Sequence, residues 1–165
     1  MKAHRDEANA SINDSDNVLL LRPARAGSGV PVARLHRQAA GRVVSNPAIV
    51  MAQIHYLEAD KAELFAEFFE TKMRPRIEAM GVPVLAQFTT ETSPNTFPRL
   101  PVREHDHVFI WFSGFANRAA CHKALERLRA TQVWRDGASD PILHQLERKP
   151  EVLRLAPAAR SAWQA

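Results

Sequence analysis

Apolar residues follow two different spacings along the chain, and each spacing predicts one kind of element. The run Ile49 to Leu57 is apolar at both odd and even positions, which is typical of a strand covered on both faces. From Asp60 the large apolar residues instead recur every three or four positions, so this segment is predicted to be a helix. Pro75 is predicted to kink the helix and Gly81 to end it.

The following residues predict three more strands and a second helix. Val82 to Thr92 alternates and is rich in β-formers, and His105 to Ser113 is apolar on both faces, so each predicts a strand. Gly114 to Arg129 has helical spacing, a turn and a short helical piece follow from Thr131 to Leu146, and Glu151 to Leu155 predicts the last strand. This order of strand, helix, strand, strand, helix and strand is the split βαβ arrangement of a ferredoxin-like α+β fold.

A separate N-terminal segment precedes this domain. Residues 17–22 predict one short strand, whereas residues 24–46 contain several Gly and Pro residues and little periodicity, as a linker does. We therefore expect an N-terminal extension at residues 1–46, the ferredoxin-like domain at residues 47–157 and a C-terminal tail at residues 158–165.

The N-terminal strand has a counterpart late in the sequence. Residues 17–24 align with residues 151–158, and residues 4–6 precede the first segment much as residues 134–136 precede the second. One interpretation is that residues 1–46 include the remnant of a preceding copy of the same domain. The other is that a strand followed by Pro-Ala recurs by accident, and the sequence alone leaves both open.

Composition and charge narrow the class of protein. The chain has 165 residues, 45% hydrophobic and 24% charged, which fits one globular domain. Its net charge of +4 falls short of the clustered charge of a nucleic-acid binder, and residues 1–10 lack the apolar stretch of a signal peptide or membrane anchor. Charges alternate in sign from Glu67 to Arg76, which indicates a solvated helix face. From the net charge and from residues 1–10 we expect no nucleic-acid partner and no membrane insertion. The single cysteine, Cys121, cannot form an internal disulfide, so we expect a cytoplasmic protein.

The predicted sheet has helices on one face only. Because its strands are apolar at both odd- and even-numbered positions, the other face would carry apolar side chains that a monomer exposes to water. We therefore expect a homodimer in which two sheets close face to face into a barrel around a small cavity.

Five stretches of the domain carry a family resemblance. They are the strand from Ile49, the Phe-rich helix from Asp60, the strand end Phe88 to Glu91, the proline loop Asn95 to Glu104 and the aromatic strand His107 to Phe112. Over about residues 47–157 they resemble the NIPSNAP family, most specifically in the proline loop and the aromatic strand. The resemblance implies the dimeric α/β-barrel superfamily, which hosts monooxygenases, isomerases, haem-handling enzymes and proteins of unknown role.

Two histidines and a glutamine are candidates for chemistry in such a cavity. Gln53 and His55 are alternate residues of the first strand of the domain, so they lie on one face of it. His107 shares a face of the third strand with Trp111 in the same way. A histidine that titrates near neutral pH can shuttle protons, so His55 and His107 are the candidate catalytic residues. The structural alternative is that both are hydrogen-bonded polar residues at an interface or at a strand end.

Candidate ligand-binding residues lie on the proline loop and on the strands. Arg99 and Asn95 occur where the cavity mouth is expected, and a guanidinium there suits a carboxylate or phenolate. Trp111 offers an aromatic surface for a flat ligand, and Gln53 completes this set. Alternatively, Arg99 pairs with nearby acidic residues and Trp111 belongs to the core or to an interface.

No sequence motif indicates a cofactor or a metal. The chain has no phosphate-binding glycine loop, no His-Glu-x-x-His and no nucleophile elbow, so we expect no cofactor and no metal site. One hypothesis is a homodimeric NIPSNAP-like protein that binds a ligand or interacts with a partner. The other is a cofactor-independent monooxygenase-like enzyme, in which the barrel cavity takes a small aromatic or quinol substrate and His55, His107 or Arg99 steers protons and charge.

Overall fold

The structure, a computed structural model, describes residues 18–30, 48–97, 99, 101–130, 146–158 and 161. Strands and helices follow the predicted order from Ile49 onward. They are β1 (Leu21–Pro23), β2 (Ile49–Tyr56), α1 (Ala62–Phe68), a π-helical turn (Phe69–Met73), α2 (Arg74–Ala79), β3 (Val84–Thr90), β4 (Val108–Phe115), α3 (Arg118–Ala130) and β5 (Glu151–Leu155).

The five strands form one antiparallel sheet in the order β1-β3-β4-β2-β5. Without β1 this is the strand order of a ferredoxin-like fold, so the predicted α+β class is confirmed. The two central strands, β2 and β4, pair along their whole length, from Ile49 opposite Phe115 to Tyr56 opposite Val108. Both are almost entirely buried, as expected from residues that are apolar at both parities.

One face of the sheet is covered by the helices. Successive side chains of a strand point to opposite faces of the sheet, and the odd-numbered residues of β2 and β4 point to the face that the helices cover. They pack against α1, the π-helical turn and α3 in a core that includes Met51, Phe65, Phe69, Phe109, Trp111 and Leu128.

The second face of the sheet is also buried at its centre. Ala52, Ile54 and Ile110 are each less than one tenth exposed within the single chain, and Leu19 and Leu21 of the N-terminal segment pack against this cluster. The sequence argument for a homodimer assumed that a lone chain leaves this face in water. The burial removes that premise, so the centre of this face does not by itself require a second copy.

A π-helical turn interrupts the first helix of the domain just before Pro75. Pro75 lies in the first turn of α2, and Phe69–Met73 forms the wider turn that directly precedes it. The interruption predicted from Pro75 thus takes the form of a local change in helix type. Gly81 then follows α2 with a φ of +79°, the left-handed conformation that ends many helices.

The described part of the N-terminal extension belongs to the sheet. Arg103 donates its backbone N–H to Val18 O at 2.9 Å, β1 pairs with β3, and Arg25 Nη2 donates to Ala66 O at 3.1 Å. Residues 24–30 are therefore packed on the domain, although the sequence predicted a linker there. The rest of that linker, 31–46, and all but the last residue of the turn and helical piece predicted at 131–146 lie outside the described residues.

The third strand of the domain is shifted toward the C-terminus relative to its prediction. It begins at Val108 because Asp106 N donates to Arg103 O in a turn that also holds an Arg103–Asp106 ion pair. It continues to Phe115 because Gly114, predicted to open the next helix, pairs with Val50 in the sheet. A Cβ at Gly114 would lie 2.9 Å from Leu85 Cδ1, so the glycine allows this close approach.

Candidate functional site

Four polar side chains lie buried among aromatic rings on the helix-covered face of the sheet. His55 comes from β2, Gln87 from β3, and Trp111 and Ser113 from β4; we call them the inner polar cluster. Trp111 lies directly opposite both Gln87 and Gln53 in the strand pairing. Directly opposed side chains on one face have Cβ atoms about 5 Å apart, so the pairing brings residues from three strands together.

His55 is the most isolated ionisable group of this cluster. Its side chain is 2% exposed, and neither ring nitrogen has a hydrogen-bond partner within the described part of the chain. The ring centroid lies 5.0 Å from that of Phe65 and 6.3 Å from that of Phe109. Burial in this aromatic environment lowers the pKa of His55 to about 3, so the imidazole is neutral at pH 7. A neutral imidazole offers one hydrogen-bond donor and one acceptor.

The other three members also have unpartnered polar atoms. Trp111 Nε1, Ser113 Oγ and Gln87 Oε1 are buried without a hydrogen-bond partner among the described residues. The indole N–H is a donor, the amide oxygen is an acceptor and the hydroxyl can be either. Each unpaired buried group costs about 1–3 kcal/mol of folding free energy, which a molecule with complementary groups would recover. The cluster therefore has the donors and acceptors of a binding site for a small polar molecule.

The π-helical turn lies over this cluster. Its first residue, Phe69, has its ring centroid 4.9 Å from Phe109 and 5.4 Å from Trp111. The next residue, Glu70, accepts a hydrogen bond of 2.8 Å from Gln87 Nε2. Turns of this type occur frequently at functional sites. The wider turn here positions an aromatic ring and a carboxylate over the same pair of strands.

Glu70 fixes the orientation of the Gln87 amide. A carboxylate only accepts hydrogen bonds, so the Gln87 NH₂ group faces Glu70 and its Oε1 faces the interior. Burial alone would raise the pKa of Glu70, but hydrogen bonds from Gln87 and Arg74 and the charges of Arg74 and Arg25 lower it overall. The sequence placed Glu70 on a solvated helix face. That prediction is wrong, because Glu70 is half-buried between Gln87, Arg74 and Arg25.

The structure places three of the six predicted site residues on the same face. Gln53, His55 and Trp111 are buried side by side, as their parity predicted. They face the helices, whereas the predicted cavity lay between two sheets. His107 is half-buried just before β4, and its carbonyl oxygen accepts the backbone N–H of Leu57 at 2.8 Å.

Asn95 and Arg99 lie on the loop between β3 and β4. Asn95 Oδ1 accepts the backbone N–H of Phe97 at 2.9 Å, which makes a local turn in the loop. Arg99 is exposed, so its guanidinium is not part of the buried inner polar cluster. Their predicted ligand-binding roles remain predictions.

Gln87, Ser113 and Glu70 were missed as site residues. The sequence did contain one usable signal, because Gln87 and Ser113 are polar residues inside strands whose neighbours are apolar. Glu70 had no such signal, since its burial depends on where its helix crosses β3.

A second polar cluster surrounds Tyr56 at one end of β2. Its hydroxyl donates to Glu151 Oε2 at 3.0 Å, and the Arg148 guanidinium carbon lies 3.4 Å from the ring centroid. The Arg103 guanidinium carbon lies 5.6 Å from the same centroid. These groups are mutually paired, so the Tyr56 cluster joins the residues around β5 to β2 rather than offering unmet donors or acceptors.

One open cleft lies at the start of α3. It has a volume of about 630 Å³ and is lined by Asn117, Arg118, Ala119, His122 and Lys123. Asn117 Oδ1 accepts the backbone N–H of Ala120 at 2.9 Å and so caps the helix. His122 lies 3.6 Å from Glu126, and both side chains are exposed. The cleft is thus an open surface that carries the exposed side chains of Arg118 and Lys123.

Cys121 is buried in the core on α3. Burial raises the pKa of its thiol, against the opposing charge of Arg154, so the thiol stays protonated at neutral pH. Among the described residues no group of three or more His, Cys, Asp or Glu side chains is placed to hold a metal ion. The helices that the structure describes are all too short or too polar to span a bilayer.

The fold defines the class of protein to which the chain is similar. No protein-family model matches the chain, and no curated protein matches it. A solved structure of an uncharacterized NIPSNAP-like domain protein from Burkholderia xenovorans aligns with a TM-score of 0.55 and 17% identity, covering 70% of this chain and 90% of that one. An uncharacterized NIPSNAP domain protein from Burkholderia xenovorans aligns with a TM-score of 0.52 and 18% identity, covering 67% and 95%. The chain thus has the fold of NIPSNAP-like domains, as its sequence resemblance implied.

Proposed function

We propose that this chain is a NIPSNAP-like binding protein that takes a small uncharged aromatic molecule into the inner polar cluster. The observation that carries the proposal is the set of unpartnered buried atoms on His55, Gln87, Trp111 and Ser113. They come from three adjacent strands, and residues of the π-helical turn contact two of them, Trp111 and Gln87. A site built on central strands is held more rigidly than one on loops.

The surroundings of the cluster favour the aromatic class of ligand. Phe65, Phe69 and Phe109 form the apolar part of the site, and their rings pack at tilted angles against His55 or Trp111. A charged ligand would lose its hydration without meeting an opposite charge, because His55 is neutral there. A phenol or quinol instead supplies hydroxyl groups that both donate and accept hydrogen bonds.

A monooxygenase-like enzyme is the second candidate function. The observation in its favour is that His55 lies in a desolvated aromatic environment, where a bound quinol could pass it a proton. Its pKa of about 3 makes His55 a weak base when the site holds no ligand. Binding without chemistry is therefore the better supported function.

The proposal includes a reversible homodimer in the cytoplasm. The exposed apolar residues Val152, Leu153 and Leu155 on the outer strand β5 support self-association. The single cysteine, Cys121, which cannot form an internal disulfide, supports the cytoplasmic location.

The binding proposal is tested by calorimetric titration of the full chain with hydroquinone and, as a charged probe of similar size, benzoate. We expect saturable binding of hydroquinone and weaker binding of benzoate. His55→Phe, which keeps an aromatic ring but removes both nitrogens, should weaken hydroquinone binding at least tenfold. His105→Gln, an exposed histidine replaced on the loop before β4, is the matched control and should leave it unchanged.

Two outcomes would contradict the binding proposal. One is that neither probe binds, or that benzoate binds as tightly as hydroquinone. The other is that His55→Phe binds hydroquinone as the original chain does. Oxidation of hydroquinone under air that His55→Phe abolishes would favour the enzyme hypothesis.

A further inference from the structure

The four members of the inner polar cluster differ in how freely they change their hydrogen-bonding role. A neutral imidazole carries its proton on either ring nitrogen and a hydroxyl rotates, so His55 and Ser113 can each meet a donor or an acceptor. Trp111 Nε1 only donates. The Gln87 amide adapts by turning over, which exchanges its oxygen and its nitrogen, unless a neighbouring group fixes it. The selectivity of the site therefore depends on what fixes Gln87.

Glu70 prevents the Gln87 amide from turning over. Gln87 Nε2 donates to Glu70 Oε2 at 2.8 Å, and a turned amide would place its oxygen against this carboxylate oxygen instead. Both atoms are acceptors, so the turn would replace a charge-assisted hydrogen bond with a repulsion. Gln87 Oε1, which is buried without a partner among the described residues, is thus held as an acceptor toward the interior.

Two arginines hold the two oxygens of Glu70 in different roles. Arg74 Nη1 donates to Glu70 Oε1 at 2.9 Å, and Arg25 Nη1 lies 3.7 Å from the same oxygen, so Oε2 is left for Gln87. Partial burial acts to raise the pKa of Glu70, but the hydrogen bonds from Gln87 and Arg74 and the two arginine charges lower it overall. The carboxylate is therefore ionised at neutral pH and accepts only.

The N-terminal segment positions Arg25 by bonding to Gln87 itself. Gln87 donates its backbone N–H to Ser28 O at 2.8 Å, and Ser28 Oγ donates to Gln87 O at 2.9 Å. Arg25 N donates to the same Oγ at 3.0 Å, which closes a turn. From this turn the Arg25 guanidinium reaches Ala66 O and Glu70. The segment, the π-helical turn and β3 therefore meet at the pair of Gln87 and Glu70.

We infer that Glu70 is a positioning residue that sets the specificity of the inner polar cluster, because through Gln87 it selects a ligand that donates a hydrogen bond to Gln87 Oε1. A hydroxyl group meets this requirement, and its lone pairs can also accept the N–H of Trp111, which lies directly opposite Gln87 in the strand pairing. An ether oxygen only accepts, so it would face Gln87 Oε1 without a hydrogen. The inference rests on the binding site of the proposed function and adds the residue by which that site rejects acceptor-only aromatic molecules.

The first test compares two isomers, p-cresol and anisole, by calorimetric titration of the full chain. p-Cresol has a hydroxyl group, whereas the ether oxygen of anisole only accepts hydrogen bonds. The original chain should bind p-cresol at least tenfold more tightly than anisole. Equal affinities, or a preference for anisole, would overturn the inference and leave the binding site in place. If neither isomer binds, the inference and the binding proposal are both overturned.

The second test replaces the carboxylate. Glu70→Gln should reduce the preference for p-cresol to less than threefold, chiefly because anisole binds more tightly. Arg74 and Arg25 face the Oε1 side of residue 70, so they orient the new amide with its oxygen toward them and its NH₂ toward Gln87. Gln87 then turns its oxygen to that NH₂ and its own NH₂ to the interior. A loss of structure would weaken the binding of both isomers, whereas tighter anisole binding requires a changed group in the site.

Glu78→Gln is the matched control for the second test. Glu78 Oε1 accepts a hydrogen bond of 2.9 Å from Arg74 Nε, so this variant also removes a carboxylate paired with Arg74. It keeps Glu70 and the hydrogen bond from Gln87, and it should keep the tenfold preference for p-cresol. An equal loss of preference in Glu78→Gln and Glu70→Gln, or an unchanged preference in both, would overturn the inference.

A third variant tests the acceptor itself and covers the case in which Glu70→Gln does not fold. Gln87→Met keeps the length of the side chain but removes the amide, so p-cresol loses its acceptor while anisole loses no partner. The affinity for p-cresol should fall at least fivefold, and the affinity for anisole should not fall. An unchanged preference for p-cresol in Gln87→Met would show that Gln87 does not select the ligand and would overturn the inference.

Discussion

The inner polar cluster on the helix-covered face and two hydroxyl groups on the second face of the sheet, those of Tyr56 and Thr90, have different surroundings. On the first, His55, Trp111 and Ser113 bury polar atoms with no hydrogen-bond partner among the described residues. On the second, Tyr56 donates to Glu151, and Thr90 Oγ1 donates to Asp106 O and accepts the N–H of Val108. Paired groups stabilise the fold and unpaired ones oppose it, so the comparison separates polar residues that contribute to stability from those to which the proposed function assigns a ligand.

The largest effect should follow from opening the helix-covered face. Phe69→Ala removes a fully buried ring that contacts Phe109 and Trp111, and should lower the free energy of unfolding by about 3–5 kcal/mol. Phe69→Leu keeps most of the volume and should cost less than half as much. Urea unfolding followed by circular dichroism measures both, and a loss under about 1 kcal/mol for Phe69→Ala would show that this ring does not seal the cluster.

Acid should destabilise the protein through the same face. The pKa of His55 falls from 6.5 to about 3 on folding, so the unfolded chain binds more protons between these values. The free energy of unfolding therefore decreases as the pH falls between these two values. At pH 5 the decrease is about 2 kcal/mol compared with a chain whose His55 stays unprotonated in both states. His55→Phe should flatten the dependence between pH 7 and 5, and His105→Gln should not. Equal slopes for His55→Phe and the original chain, in urea unfolding at the two pH values, would contradict the burial of a neutral His55.

Removing one hydroxyl from each face should give changes of opposite sign. Tyr56→Phe loses the hydrogen bond to Glu151 and should lower the unfolding free energy by about 1 kcal/mol. Ser113→Ala removes a buried hydroxyl without a partner and should raise it by up to about 1 kcal/mol. Thermal and urea unfolding of the two variants measure this difference. If Ser113→Ala also destabilises, its hydroxyl is already paired and the two faces do not differ as described.

The sequence was sufficient for the strands and for which residues share a face. Apolar residues at both parities predicted the buried central strands, and the parity of Gln53, His55 and Trp111 placed them together. Which face held the helices was not encoded in that parity, so these side chains were expected to face a second sheet, whereas they face the helices. Position along one strand says which side chains are neighbours but not what packs above them.

The remaining parts of the site depend on contacts between distant segments. The hydrogen bond from Gln87 to Glu70 exists because a π-helical turn carries Glu70 over β3, and no local pattern specifies that turn. The position of β1 beside β3 likewise required the sheet order, although the similarity of its sequence to β5 was visible. Tertiary contacts, rather than local preference, decide both features.

The order of pairing along the chain affects how the protein is made. β2 pairs on one side with β4 and on the other with β5, where Val50 lies opposite Leu155. A chain emerging from the ribosome exposes β2 early, and its second edge stays open until β5 has been synthesised. During that interval Val50, Ala52 and Ile54 present an apolar strand edge to other nascent chains. Slow translation between β4 and β5 would lengthen the exposure, so this interval is where a chaperone would protect the protein most.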